Sequence, residues 1–239
     1  EEIEGRIQSR LEDPEMVTHA HILAPDYRRP VDDSGHSELS SLGLHRDQTF
    51  GRFEDRRGEG IGADHLRTLD LALKSAIEYS RSPEGWLVFV GCHSCGKTHL
   101  AAAIANARAE LGHLPLFIFV PDLLDHLRAT FNPNSTVSYD RRFDEVKTTH
   151  LLILDGLGSQ SMTPWVREKL FQVFDHRYNA KLPTVITMVD YVEEFHKTEP
   201  GLASRMLDRR LCKVNGITAP AYRGIQQTLK PEPRRRRAP

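Results

Sequence analysis

Residues 87 to 105 read LVFVGCHSCGKTHLAAAIA, and their spacing admits two chemistries. Gly91 to Thr98 fits GxxxxGKT, a phosphate-binding loop, whereas Cys92-His93-Ser94-Cys95 is a CxxC of the kind used for thiol redox or metal chemistry. The two readings differ in how many residues they explain. In a phosphate loop, successive backbone N–H groups and the positive helix end wrap a β-phosphate. Lys97 reaches the β and γ oxygens, and the Thr98 hydroxyl binds Mg²⁺. The nucleotide-binding candidates are then Gly91, Cys92, His93, Ser94, Cys95, Gly96, Lys97, Thr98 and His99. A redox reading leaves Gly91, Gly96, Lys97 and Thr98 as coincidence, and a zinc site needs two further ligands where only His93 and His99 are near. The phosphate loop is therefore the stronger reading.

A second element supports it. Leu151-Leu152-Ile153-Leu154-Asp155 is an apolar run closed by a carboxylate, 57 residues after Thr98. A buried strand ending in Asp is where a nucleotide-hydrolysing domain holds Mg²⁺ beside the loop threonine, so Thr98 and Asp155 form the candidate metal pair.

These residues need a scaffold that presents strand ends and helix starts together. Asp64 to Tyr79 has helical apolar spacing with Asp64 as a cap, and Trp86 to Val90 is a buried strand. An Ala-rich helix from Lys97 to Leu111 is stopped by Gly112 and followed by a strand over Leu116 to Val120. Helices are expected over Asp122 to Phe131 and Tyr139 to Val146, and a third strand over Leu151 to Leu154. Thr163 and Pro164 open a long helix to Tyr178, on which His176 and Arg177 are expected at exposed positions. Pro183 to Met188 and Arg210 to Val214 supply the last two strands. Continuous apolar strands alternating with helices indicate an α/β domain with a five-stranded, mainly parallel sheet covered on both faces.

The 239-residue chain has 39% hydrophobic and 27% charged residues and a net charge of -1, the composition of a soluble globular domain. Residues 1 to 49 are polar, with a short helix expected over Ile3 to Leu11. Residues 50 to 218 form the core domain, and 219 to 239 a short segment ending in the basic run Arg234 to Arg237. That run is the one conspicuous basic patch, and a solvated tail is its simpler reading. With no long apolar span and an acidic start, a cytoplasmic location without membrane contact is expected.

The stretch Ser94 to Asn106, together with LLILDGLGSQSMTPWVREKLFQVFDHRYNAKLPTVIT (151 to 187) and ASRMLD (203 to 208), resembles the AAA+ ATPases of the DnaC/DnaI helicase-loader group, kin of the IstB transposition ATPases. The likeness spans residues 37 to 223. It implies an AAA+ P-loop domain with a small or absent C-terminal lid that binds ATP and Mg²⁺ and self-associates through the nucleotide site. A replicative helicase and single-stranded DNA are its implied partners. By resemblance Lys97 and Arg205 are the catalytic pair, Arg205 matching the finger that reaches a neighbour's γ-phosphate, and Arg223 faces nucleotide.

Departures from the family pattern gather at hydrolysis. Ser94 replaces a loop glycine, Gly156 replaces the carboxylate that orients the attacking water, Val189 stands near the polar sensor position, and Gly201 replaces a second arginine. A missing general base is worth about 10²–10⁴ in rate. The expectation is a protein that binds ATP·Mg²⁺ and hydrolyses it slowly, acting as an ATP-dependent switch. The alternatives are a non-hydrolysing scaffold and a transposition-type ATPase on duplex DNA.

Overall fold

The computed structural model describes residues 37–129 and 139–222. The helix expected near the N-terminus, Arg223 and the basic run 234–237 lie outside these residues. Five strands form one sheet: β1 Trp86–Gly91, β2 Leu116–Phe119, β3 Leu152–Leu157, β4 Thr184–Met188 and β5 Cys212–Ile217. Their order is β2-β3-β4-β1-β5, and every pairing is parallel. Among the described residues, seven α-helices accompany them: α1 Ala63–Arg81, α2 Lys97–Glu110, α3 Val120–Ala129, α4 Tyr139–Thr148, α5 Pro164–Asn179, α6 Val192–Thr198 and α7 Pro200–Met206.

The strands are apolar on both faces because both faces are covered. Trp86, Val88 and Val90 of β1 face the core shared with α3 to α7, whereas Leu87 and Phe89 face the core shared with α1 and α2. The central helix α2 runs along the sheet with Ala101, Ala102, Ala103 and Ala105 at 0–1% exposure. Small side chains let its axis approach the strands closely, and Gly112 at φ +80 ends it as expected.

Four details differ from the sequence expectation. Helix α1 is capped by Gly62, with Asp64 inside its first turn and making no side-chain cap bond. Strand β5 starts at Cys212 and continues to Ile217, because its register against β1 runs from Trp86↔Cys212 to Gly91↔Ile217. Helices α6 and α7, seven residues each, are too short for their periodicity to stand out. The compact body also begins before residue 50. Leu39 and Leu42 are 3% and 2% exposed, Ser41 N donates to Phe117 O at 2.8 Å, and Phe117 N donates to Ser40 Oγ at 3.2 Å. β2 is an edge strand, and this segment satisfies backbone groups that no sheet neighbour reaches.

His176 is exposed as expected, but Arg177 is 1% exposed, because it is the polar rivet of the far end of the fold. Its guanidinium donates to Thr184 Oγ1 (2.9 Å) and to the carbonyls of Val146 (3.3 Å), Lys147 (3.1 Å), Thr149 (2.8 Å) and Pro183 (2.6 Å). One planar fork thereby joins α5, the end of α4 and the entry to β4. Burial lowers its pKa to about 10, so it stays cationic at neutral pH, neutralised by carbonyl dipoles at a helix C-terminus. Lysine cannot span that fork. Arg177→Lys is expected to lower the unfolding free energy by about 2–4 kcal/mol in urea titration, since several buried carbonyls lose their donor. A loss under about 1 kcal/mol would show that the carbonyls find other donors.

Candidate nucleotide site

The site is built where β1 leaves the sheet and α2 begins. At Gly91 a Cβ would lie 2.4 Å from Ile217 O, so only glycine lets the loop leave beside β5. Gly96, at φ +108, caps α2 without any side-chain cap bond, so the first-turn N–H groups remain available to an anion. Ser94 sits at φ +58, the left-handed conformation that its glycine counterpart would adopt freely, at a cost of about 1–2 kcal/mol. Lys97 is 8% exposed and folds back over the loop, its ammonium donating to Gly91 O at 2.8 Å and Cys92 O at 2.6 Å.

Asp155 meets this loop from β3. The Thr98 hydroxyl donates to both carboxylate oxygens, at 2.9 and 3.2 Å, so the candidate metal pair is assembled. A second hydroxyl, which sequence reasoning did not single out, completes the group. Thr187 Oγ1 donates to Asp155 Oδ1 at 2.6 Å and accepts from Gly156 N at 2.9 Å. The register explains this contact. Leu154 pairs with Ile186 and Leu157 with Met188, so Asp155 and Gly156 together oppose Thr187 in a β-bulge.

The bulge fixes Gly156 at φ +75, and a Cβ there would lie 2.4 Å from Phe119 Cε2. The Phe119 ring thus fills the space beside the position where a water-orienting carboxylate would start. Val189 is 36% exposed, at the end of β4.

A cavity of about 580 Å³ opens over the loop. Ser94 to His99 form one wall, and residues between His45 and Arg56 form the other. The second wall was not legible as a site, since the sequence there is irregular, although Phe50, Phe53 and His99 are its signal in retrospect. His99 Nε2 lies 2.9 Å from Thr49 O and its ring meets Phe53 edge-on at 5.2 Å. Asn106 donates to His45 O and Gln48 O, tying the wall to α2. Tyr222 closes one end: its N–H donates to Ser94 O at 2.9 Å and its hydroxyl to Glu54 at 2.7 Å. Arg52, Arg56 and Lys97 give this cavity a cationic complement against Asp47 and Glu54.

The CxxC divides. Cys95 is 2% exposed and packs in the core beside α2, and burial pushes its thiol pKa up, which lowers the thiolate fraction that redox chemistry needs. Cys92 is exposed at the start of the loop. Among the described residues, no cluster of three His, Cys, Asp or Glu side chains is arranged to hold a metal ion. The Thr98–Asp155 pair fits Mg²⁺ of the kind that takes one or two protein ligands and completes its shell with phosphate oxygens and water.

Arg205 is held apart from this group. It lies on α7 and its guanidinium contacts Gly201 O and Asp175 on α5, with no contact to the loop. Arg223 lies outside the described residues. No helix among the described residues is long and apolar enough to cross a membrane.

Comparisons with known proteins agree with this architecture. The chain is 36% identical over 99 residues to the replicative helicase loader DnaI of Bacillus subtilis, covering 41% of this chain and 31% of that protein. It is 31% identical over 141 residues to the replicative helicase loader DnaC of Escherichia coli K12, covering 58% of this chain and 56% of that protein. The matches thus span between 31% and 56% of these relatives' length. A crystal structure of the DnaC helicase loader superposes with a TM-score of 0.56 at 23% identity, over 73% of this chain and 99% of that one, a likeness of fold. The family described as IstB-like ATP binding protein matches residues 37–229 of the 239, and the chain belongs to it.

Proposed function

We propose that the protein is an ATP·Mg²⁺-dependent assembly switch of the helicase-loader type, in which binding of ATP sets the assembled state and hydrolysis is slow. The observation that carries this reading is the joining of Lys97, Thr98 and Asp155 at one loop while the neighbouring position is Gly156, with Phe119 filling the space beside it. The first group supplies phosphate and cation binding, and the second lacks a base for water. In this mechanism the Lys97 ammonium exchanges the carbonyls of Gly91 and Cys92 for phosphate oxygens. The N-terminus of α2 adds its N–H groups, and the Asp155–Thr187 contact keeps the carboxylate oriented toward Thr98. Thr98 and Asp155 would hold Mg²⁺, which would supply positive charge to offset that of the phosphates. The wall from His45 to Arg56 and Tyr222 would hold the nucleoside end.

Self-association would place Arg205 of one subunit at the nucleotide of the next. A replicative helicase is the partner this reading carries over from the loader relatives, single-stranded DNA and a cytoplasmic setting are what the resemblance implies, and the all-parallel sheet is compatible with it. The resemblance to the IstB group carries one alternative, a transposition-type ATPase on duplex DNA. A salt titration of binding separates the two: tighter binding to single strands at every salt concentration is expected, and a preference for duplex would select the alternative.

Two measurements test the nucleotide chemistry. ATP·Mg²⁺ is expected to raise Tm by several degrees at saturation, and Lys97→Ala to reduce the affinity at least ten-fold and abolish that rise. An unchanged rise in Lys97→Ala would sink the phosphate-loop role. For hydrolysis, Gly156→Asp alone is expected to destabilise the chain by about 1–3 kcal/mol, from its left-handed backbone and the Phe119 contact, without restoring turnover. The pair Gly156→Asp/Phe119→Ala is expected to raise ATP turnover at least ten-fold above wild type. A wild type that already turns over faster than the pair would show that the missing carboxylate is not what limits the reaction.

A further inference from the structure

Arg205 is the proposed nucleotide-contacting residue that the fold covers with its own chain. Its side chain is 16% exposed, whereas that of its partner Asp175 is 45% exposed. The guanidinium donates through Nη1 to Gly201 O at 2.6 Å and through Nη2 to Asp175 Oδ1. It lies 4.5 Å from the centroid of the Phe171 ring and 5.9 Å from that of Tyr178, so two aromatic rings and a carboxylate of α5 surround it. Asp175 is itself braced, its Oδ2 accepting from Asn179 Nδ2 at 3.2 Å. The docking is incomplete: Arg205 Nε is buried and has no hydrogen-bond partner among the described residues.

These contacts have the form of a reversible latch. A guanidinium binds carboxylate and phosphate with the same fork, so Asp175 and a phosphate oxygen compete for one donor set. A pair whose carboxylate is nearly half exposed is screened and weak, so release is inexpensive. The unsatisfied Nε also leaves a donor that the intrachain site does not use and a phosphate would.

We propose that Asp175 is an autoinhibitory positioning residue that retains Arg205 within its own chain, and that assembly exchanges the Asp175 carboxylate for the phosphate of a neighbouring subunit's nucleotide. This rests on the reading of Arg205 as the residue that reaches a neighbour. Asp175 contacts no part of the phosphate loop, so it acts on assembly through Arg205 and leaves nucleotide affinity within one chain unchanged.

The test is sedimentation of the full chain with ATP·Mg²⁺ across protein concentration, for wild type, Asp175→Asn and Arg205→Ala, with nucleotide affinity measured in parallel at dilution. Asparagine keeps the shape of the side chain and removes its charge. Asp175→Asn is expected to assemble at about two- to five-fold lower concentration than wild type and to bind nucleotide as wild type does when dilute, and Arg205→Ala is expected to fail to assemble. Assembly of Asp175→Asn where wild type stays monomeric would support the latch equally. If wild type assembles in an Arg205-dependent way and Asp175→Asn assembles no more readily, the latch is overturned and the Arg205 reading stands. If assembly is indifferent to Arg205→Ala, or if neither wild type nor Asp175→Asn assembles, both are overturned.

Discussion

The site depends on one irregularity in an otherwise regular sheet, the bulge in which Asp155 and Gly156 share a single opposing residue, Thr187. Without the extra residue, β3 would continue in register with β4 and its next side chains would alternate across the sheet. With it, the Thr187 hydroxyl is placed between the two, donating to the Asp155 carboxylate and accepting from the Gly156 N–H. Asp155 is 8% exposed, and a carboxylate in such a place needs donors. Thr98 and Thr187 supply them, and the direction of the carboxylate follows from where those hydroxyls stand.

The rest of the domain serves to bring Thr98 to that carboxylate. β1 lies beside β4, so the loop that follows it emerges next to Thr187, and α2 descends from the loop along the face of the sheet. The Ala-rich sequence of α2 decides how near it comes, since bulkier residues at 101 to 105 would hold the helix off the strands. The polar segment before residue 57 then does two separate things. It satisfies the free edge of β2 through Ser40 and Ser41, and through Phe53 and Thr49 it rests on Gly96 and His99 as the outer wall of the cavity.

Much of this was legible in the sequence, for a physical reason. The fold class follows from apolar runs alternating with helical spacing, and Lys97, Thr98 and Asp155 follow from a motif whose geometry tolerates few substitutions. Three parts were not legible. Thr187 lies inside an apolar strand and gains its role only through a register shift that no local pattern encodes. Arg177 has the charge of a surface residue, and its burial depends on carbonyls contributed by two separate segments, 146–149 and Pro183. The segment from 37 to 56 has no helical or strand period, so its packing comes from tertiary contacts, with Leu39, Leu42 and Phe53 as isolated anchors.

The same bulge changes how Gly156 should be understood. From the sequence it is a carboxylate deleted from a hydrolytic pattern, a single loss that a single substitution would reverse. In the fold it sits at φ +75, where a side chain is strained, and the Phe119 ring occupies the volume a Cβ would enter. Phe119 is the last residue of β2 and lies alongside Asp155 in the sheet register, so its ring is held over the bulge by strand pairing. The backbone that aims Asp155 at Thr98 and the ring that covers Gly156 are therefore consequences of one arrangement. The hydrogen-bonded half of the bulge orients Asp155 toward Thr98, while its other half is closed by hydrocarbon. The carboxylate that is present and the position where one is missing are thus separated by geometry as well as by residue type.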